Sequence, residues 1–379
     1  MPSYQDYINA LLSGTYKQKI KVELLRPDET VREEITSLII NSSGNLNIER
    51  KNGIRRTIDL QIMNLDGQYI PNIENFFIHQ KFMVQLGLEM PNGEDYWIKN
   101  GLFVMEDPSV SSNYSESFIS IKGIDKFSLM DGTLGGELSS TYIIPIGTNI
   151  IQAIKDTLIL VNDPQEPIID VQLIGQTTPY TMTYETSDNI SKIIIDLAQL
   201  YSCSVYYNEN GQLVVEKDIP DEIKSSLWNF STEEFNFQGN AINTYKYSEI
   251  FNSVRVIGSN IDGITYSYTA QNNNLSSNVS IPNLGFERIF IHSSDLLDSN
   301  EKCKDLAEYI LRRKIAMQNE LSFSAIPMYH LNSDCICTLT DYNLNLSEER
   351  FLIDSITIPL NIGGVMTLKC IKEKELILT

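Results

Sequence analysis

The chain has 379 residues, a formal net charge of −20, 42% hydrophobic residues and 21% charged residues. A chain of this length has more residues than one compact hydrophobic core usually organises, so we expect about two to four globular domains. So acidic a surface repels phosphate backbones and argues against nucleic-acid binding. No apolar run approaches the roughly 18 residues of a membrane span, and residues 1–6 lack the features of a signal peptide. We therefore expect synthesis in the cytoplasm, without export by the general secretory route.

Short strands dominate the first third of the chain. A short amphipathic helix is predicted over residues 4–12, and alternating apolar residues then predict strands at 20–25, 37–40, 46–49, 55–67, 81–88, 96–105 and 116–123. Asn92 and Gly93 are a hairpin turn signal between two of these strands. Many short strands separated by turns are typical of a barrel or a sandwich.

The pattern becomes helical after residue 132. Ile150, Ile154 and Leu158 have helical spacing, and a second helix is predicted from about residue 190, with Ser187 or Asp188 as its cap. Two strands then flank the turn at residues 208–211. A helix followed by a hairpin is a compact α+β unit, so residues 133–240 are interpreted as an α+β middle domain.

Residues 241–379 return to strands around one further helix. Strands are predicted near Val254 and Tyr266, and a helix at residues 300–316 with Asp298 or Ser299 as its cap. Four closing strands are predicted at residues 320–325, 335–340, 351–359 and 365–371, with a polar loop at 341–349. The predicted fold class is α+β, mainly β, with two β-barrel domains and a small α+β domain inserted between them.

The sequence offers no recognisable catalytic motif. His79, His292 and His330 lie far apart, and GxSxG, Walker A, GxGxxG and HExxH patterns are absent. Cys335 and Cys337 share one face of a strand and cannot readily bridge, so we expect buried free thiols. We predict no catalytic residue, no cofactor and no metal.

Weaker alternatives stay open at this point. Carboxylates brought together in space could form a glycosidase site, and the 19 tyrosines could stack on sugars, although aromatic residues in β-rich proteins mostly pack. The basic run Arg312-Arg313-Lys314 is interpreted as a helix end or an inter-subunit salt-bridge patch.

A family resemblance adds to these patterns. The stretch SDNISKIIIDLAQLYSCSVYYNENGQLVVEKD followed by EIFNSVRVIG resembles the baseplate or tail-hub proteins of tailed bacteriophages. These include late control gene D proteins and the N-terminal hub portion of tail-associated lysins. The matching positions are Gly211, Leu213, Val215, Glu216 and Lys217, followed by Phe251, Asn252, Val254, Val256 and Gly258.

The resemblance implies an assembly. Hubs of this family carry two tube-like β-barrels per chain, and three chains form a pseudo-hexameric ring between a six-fold tail tube and a three-fold spike or fibre. The expected partners are two further copies of the chain, a tail tube or distal tail protein, a central spike or fibre protein and a tape-measure protein. DNA would pass through the ring without specific binding. The expected location is the virion tail, after assembly in the host bacterial cytoplasm.

The same resemblance assigns domains and interface residues. Residues 1–132 and 241–379 are predicted to be the tube-like barrels. The predicted domain or subunit interface contains Tyr247, Phe251, Asn252, Arg255, Arg312 and Arg313. No catalysis is expected, because the chain ends directly after its last strands. The alternatives are a receptor- or carbohydrate-binding tail protein, which needs an exposed aromatic cleft, and, less favoured, a cell-wall hydrolase.

Overall fold

The computed structural model describes residues 2–40, 44–64, 67, 69–71, 79–114, 116–217, 223–234, 236–246, 248, 250–259, 264–294, 297–316 and 319–372. Its α-helices are α1 (Tyr4–Ser13), α2 (Ile150–Leu160), α3 (Ile190–Gln199), α4 (Ile281–Leu284) and α5 (Asn300–Ala316). None of the helices in these ranges is long and apolar enough to cross a bilayer.

The strands fall into three groups along the chain. The first group is β1 (Lys17–Leu25), β2 (Val31–Glu34), β3 (Asn45–Glu49), β4 (Arg56–Met63), β5 (Lys81–Glu89), β6 (Asp95–Met105), β7 (Ser109–Ser112) and β8 (Ser117–Asp125). The second group is β9 (Tyr142–Ile144), β10 (Ile168–Ile169), β11 (Met182–Tyr184), β12 (Cys203–Tyr207) and β13 (Leu213–Lys217). The third group is β14 (Ser226–Ser231), β15 (Phe237–Tyr245), β16 (Ser253–Ser259), β17 (Thr265–Gln271), β18 (Ile289–Ser294), β19 (Asn319–Ala325), β20 (Ile336–Asp341), β21 (Leu346–Pro359) and β22 (Met366–Lys372).

One 14-stranded sheet joins the two ends of the chain. It contains β1–β8 together with β14, β15 and β19–β22, and the two sets meet where β3 pairs antiparallel with β21. Leu46 lies opposite Ile358 there, and Ile48 lies opposite Ile356. The mainly β, α+β fold class is therefore confirmed. The path of strands runs from β15 to β2 without closing in the described residues, so closed barrels stay a prediction.

One large hydrophobic core is built from residues of this sheet. It combines Leu60 and Phe103 from the first strands with Phe351 and Leu368 from the last ones, all at most 2% exposed. Leu11 of α1 packs into the same core. Because residues from both ends of the chain bury one another, neither β-rich region forms this core alone.

The middle helices and hairpin have a second core. Its buried residues lie between positions 127 and 215 and include Ile154, Ile194 and Val205. The predicted helices and the turn at residues 208–211 are confirmed. The predicted cap of α3 is wrong: Asn189 occupies the N-cap position, and its amide donates to the backbone oxygen of Asp131 (2.7 Å).

A third core lies within the second β-rich region. Strands β17, β16 and β18 form a separate three-stranded sheet, in which β16 pairs parallel with β18. Val254 and Val256 on this sheet pack against Cys303, Ala307 and Leu311 of α5. The predicted bounds of α5 are confirmed, and so is its cap at Ser299, whose Oγ accepts from Lys302 N (3.2 Å). The predicted domain boundaries at residues 132 and 240 stay a prediction.

Two local predictions are wrong for the same physical reason. A strand was expected at residues 37–40, where a 3₁₀ turn over Thr36–Leu38 stands, and the Thr36 hydroxyl accepts from Val22 N (3.1 Å). A loop was expected at 341–349, but a 3₁₀ turn there leads directly into β21. The Asp341 carboxylate holds this turn by accepting a hydrogen bond from Asn343 N (2.9 Å). In both places a polar side chain satisfies the backbone and redirects the chain.

Gly258 is a position where the packing leaves no room for a side chain. A Cβ atom there would lie 2.3 Å from the backbone oxygen of Leu297 and 3.1 Å from the Cys303 sulfur. We expect Gly258→Ala to lower the free energy of unfolding by about 1–3 kcal/mol, because β16 and α5 must move apart. Chemical denaturation checks this, with Ser267→Ala on the exposed side of β17 as the control. Equal stability of the two variants would contradict the close packing.

Candidate assembly interface

The predicted interface residues lie in separate places. Tyr247 lies outside the described residues. Asn252 is 0% exposed, and its side chain donates to the backbone oxygen of Phe286 (3.0 Å) and accepts from Arg288 N (2.7 Å). Asn252 therefore fixes the loop before β18 within its own chain.

Phe251 forms an aromatic and cationic contact beside Asn252. Its ring packs edge-on against Phe290, with ring centroids 5.4 Å apart. The guanidinium of Arg288 lies 5.2 Å from the Phe251 ring, and the ammonium of Lys314 lies 5.5 Å from it. Such cation–π contacts attract at these distances, so the half-buried Phe251 ties β18 to the end of α5.

Arg255 is on the open face of the three-stranded sheet. It lies on the central strand β16, opposite Thr269 and Ile291, and is exposed. The other face of this sheet packs against α5. Ile289 and Ile291 are 46% and 60% exposed on β18. This face therefore offers a cation and two β-branched apolar side chains to a partner.

The two arginines of α5 have different surroundings. Arg312 is half-buried. Arg313 donates to the hydroxyl of Tyr309 (2.5 Å) and lines a small charged cavity with Arg50 and Asp334. Thus the structure places Phe251 and Asn252 together, Arg255 on an exposed face, and Arg313 in a cavity.

A buried polar junction, missed by the sequence analysis, connects three parts of the chain. Arg56 of β4 is 2% exposed and donates from Nη1 to the backbone oxygen of Tyr207 (2.7 Å) and from Nη2 to Asn332 Oδ1 (2.9 Å). Arg56 N and Arg55 N both donate to Asp125 Oδ2. Burial outweighs these hydrogen bonds and raises the pKa of Asp125 to about 6.

A second buried network holds the middle helices to the first strands. The ammonium of Lys126, 2% exposed, lies 2.7 Å from Glu29 Oε1 and 2.6 Å from Asp163 Oδ1. Lys81 also pairs with Glu29 (2.7 Å), and the Tyr207 hydroxyl donates to Asp163 (2.6 Å). These ion pairs and hydrogen bonds offset the free-energy cost of burying the charged groups.

Helix α1 is attached to the closing strands through an aromatic cluster. The Tyr7 hydroxyl accepts from Tyr329 N (3.0 Å) and lies 3.2 Å from His330 Nδ1. The His330 ring also packs against Trp228 and Tyr4, with centroids 5.5 and 5.8 Å away. Burial lowers the pKa of His330 to about 4.

This histidine gives a pH-dependent prediction. Between pH 6.5 and 4 an unfolded histidine is protonated while His330 stays neutral, so His330 lowers the stability of the fold as the pH falls. We expect wild type to lose stability relative to His330→Gln by at most about 1.4 kcal/mol per pH unit in this window. Urea denaturation of both proteins at several pH values measures the difference. A pH-independent difference would contradict the neutral, buried histidine.

The described residues contain no group of three or more histidine, cysteine, aspartate or glutamate side chains placed to hold a metal ion. The five cysteines are free thiols, four of them buried. A larger groove of about 840 Å³ lies between β1 and residues 359–365, with Tyr16, Trp97 and Tyr329 in its walls.

The fold is that of phage tail proteins. A tail protein from Neisseria meningitidis superposes with a TM-score of 0.65 at 9% identity, covering 95% of this chain and 98% of that one. A 43 kDa tail protein of a Shewanella oneidensis prophage gives 0.63 at 13% identity, covering 94% and 98%. A type VI secretion component from E. coli, described as similar to T4 tail proteins, gives 0.51 at 9% identity, covering 96% and 78%. No family model and no curated protein matches the sequence.

Proposed function

We propose that the chain is a structural tail protein that forms a trimeric hub in a phage or phage-tail-like particle. The observation that carries this proposal is the likeness to two tail proteins, one of them from a prophage, over nearly the whole length of all three chains. The hub joins a six-fold tail tube to a three-fold spike or fibre and acts as a symmetry adaptor. Its work is mechanical, and it needs no catalytic residue.

The joined β-sheet supports a ring built from two β-rich regions per chain. Strands β1–β8 are held beside β14, β15 and β19–β22 by the pairing of β3 with β21. A cyclic trimer of such chains presents six β-rich regions around its axis. The net charge of −20 suits a channel that passes DNA or a tape-measure protein without binding phosphate.

The mass in solution tests the trimer. Light scattering during size-exclusion chromatography is expected to give about three times the chain mass of 43.1 kDa, unchanged on dilution. A dimer or another closed oligomer would contradict the proposal.

Arg255 tests which face meets the neighbouring chain. We expect Arg255→Glu to weaken the trimer while changing the free energy of unfolding by less than about 0.5 kcal/mol, because Arg255 is exposed. Lys304→Glu, on the half-exposed side of α5, reverses a charge in the same unit and serves as the control. A trimer that survives Arg255→Glu as well as Lys304→Glu would remove Arg255 from the interface.

The groove beside β1 favours one second candidate, a receptor- or carbohydrate-binding tail protein. Tyr16 and Trp97 could stack on a sugar in this groove. Glycan arrays test this function. Specific binding of a glycan that Trp97→Ala abolishes would support this function. If no glycan on the array binds, the trimeric hub stays the proposed function.

A further inference from the structure

The two β-rich regions of the chain repeat one arrangement of strands. In the first region, neighbouring strands follow the order β3-β4-β8-β6-β5-β1, and in the second they follow β15-β19-β22-β21-β20-β14. Strands at the same place in the two paths also come in the same order along the chain. All neighbours in both paths are antiparallel, except that β14 runs parallel to β20. The two regions are therefore copies of one structural repeat.

The register shows which residues of the two repeats correspond. Phe103 of β6 and Phe351 of β21 correspond, because each lies opposite the last residue of its neighbour, β8 or β22. Ser109 of β7 and Thr357 of β21 also correspond, since each is equally far from its phenylalanine and lies opposite the same position of that neighbour. In both repeats this stretch has one residue more than the strand it faces. Strands β6 and β7 together therefore match the single long strand β21.

The same reasoning matches β3 with β15. Asn47 of β3 lies opposite Thr57 of β4, and Thr244 of β15 lies opposite Glu320 of β19. Thr57 and Glu320 in turn face the next-to-last residues of β8 and β22. Asn47 and Thr244 therefore occupy the same place in the two repeats.

Within one chain, β3 of the first repeat pairs with the end of β21 in the second. Thr357 lies opposite Asn47 there, and its hydroxyl donates to Asn47 Oδ1 (2.9 Å). The strands that correspond to these two are β15, which matches β3, and β7, which matches the end of β21. If neighbouring repeats always meet in this way, β15 and β7 form the next contact.

Both β7 and β15 have a free edge in the part of the chain that the structure describes. There, β7 has only β8 as a neighbour, and β15 has only β19. All four residues of β7 are exposed, and so is Thr244 of β15. Val110 is 43% exposed, whereas Ile358, at the matching place of the joined pair, is 0% exposed. A free edge presents backbone N–H and C=O groups that a strand of another chain can pair with.

We propose that β15 of one chain pairs antiparallel with β7 of a second copy, as β3 pairs with β21 within a chain. Thr244 then lies opposite Ser109. Just before β7, the same register places Asp107 opposite Lys246, and opposite charges at facing positions stabilise a strand pair. Because two different edges meet, the contact is heterologous and closes a ring when it repeats around an axis. The inference rests on the proposed hub for the number of chains in that ring.

Disulfide cross-linking with oxidised glutathione tests the pairing. Opposite residues of an antiparallel pair have Cα atoms roughly 4.5–5.5 Å apart, a distance that a disulfide spans. We expect Ser109→Cys with Thr244→Cys to give covalent oligomers on a denaturing gel. Asn47→Cys with Thr357→Cys is the positive control and should form its disulfide within one chain. Val31→Cys with Thr244→Cys should stay as single chains, because Val31 is exposed on β2 at the opposite end of the sheet.

Light scattering on the same samples separates the strand pairing from the hub. A trimer that Ser109→Cys with Thr244→Cys cross-links between chains supports both. A trimer without this cross-link, although the positive control forms its disulfide, overturns the pairing and leaves the hub. Cross-linked rings of another size support the pairing and contradict the trimer. Single chains without cross-links overturn both.

Discussion

Replacing Arg56 with methionine is expected to lower the free energy of unfolding by about 3–5 kcal/mol. Methionine keeps the aliphatic volume but removes the donors that Tyr207 and Asn332 accept from. It also removes a cation near Asp125, whose carboxylate is buried. The buried backbone oxygen of Tyr207 then loses the donor Arg56, and an unsatisfied buried acceptor costs its full free energy of desolvation.

Urea denaturation with two probes measures this effect. Lys304→Met also replaces a cation by methionine, at an exposed position of α5, and should stay within about 0.5 kcal/mol of wild type. Arg56 joins the first strands to the middle hairpin and to residue 332. In Arg56→Met we therefore also expect the two probes to report unfolding transitions at different urea concentrations. Similar stabilities for the two variants would mean that Arg56 does not hold the junction.

Lys126→Met is expected to have an effect of the same size, about 3–5 kcal/mol at pH 8. It leaves Asp163 without the ammonium of Lys126, and it leaves Glu29 with the ion pair to Lys81 and the hydrogen bond from Gln165. Burial raises the pKa of Glu29, and the attraction of Lys126 is the first of the effects that bring it below its usual value. Without Lys126 the pKa of Glu29 rises, so Glu29 gains a proton more easily and the loss of stability should shrink as the pH falls to 5.

The pH dependence separates a charge effect from simple loss of packing. Lys155→Met removes an exposed ion pair with Glu166 and should cost less than about 1 kcal/mol at either pH. A loss in Lys126→Met that is the same at pH 5 and pH 8 would contradict the role of the buried carboxylates.

Local structure was largely predictable from the sequence. The apolar spacing over α5 and the turn residues at 92–93 and 208–211 fix helices and hairpins through short-range geometry, and these elements are confirmed. The Thr36 and Asp341 turns were missed because a side chain there competes with the backbone ladder.

Long-range pairing could not be predicted in this way. Strands β3 and β21 are about 300 residues apart in the sequence, and alternating patterns do not say which strands pair. Arg56 did carry a signal, because it is in phase with Ile58, Leu60 and Ile62 on the buried face of β4. An arginine on such a face must find buried partners.

The interface prediction was limited by the same lack of long-range information. An aromatic residue and an asparagine before a strand suggest a contact surface. The side chain of Asn252, however, forms hydrogen bonds with the backbone of residues 286 and 288 of its own chain. An asparagine at this position can serve either to anchor a loop within the chain or to bind another chain, and the sequence does not distinguish the two. Among the predicted interface residues that the structure describes, Arg255 is exposed, whereas Phe251, Arg312 and Arg313 are half-buried.

Electron microscopy of the purified protein tests the central proposal most directly. The hub predicts end-on views with three-fold symmetry, six β-rich lobes around the axis and an open central channel. A ring with another number of subunits, or a trimer whose axis is filled with protein, would contradict the account.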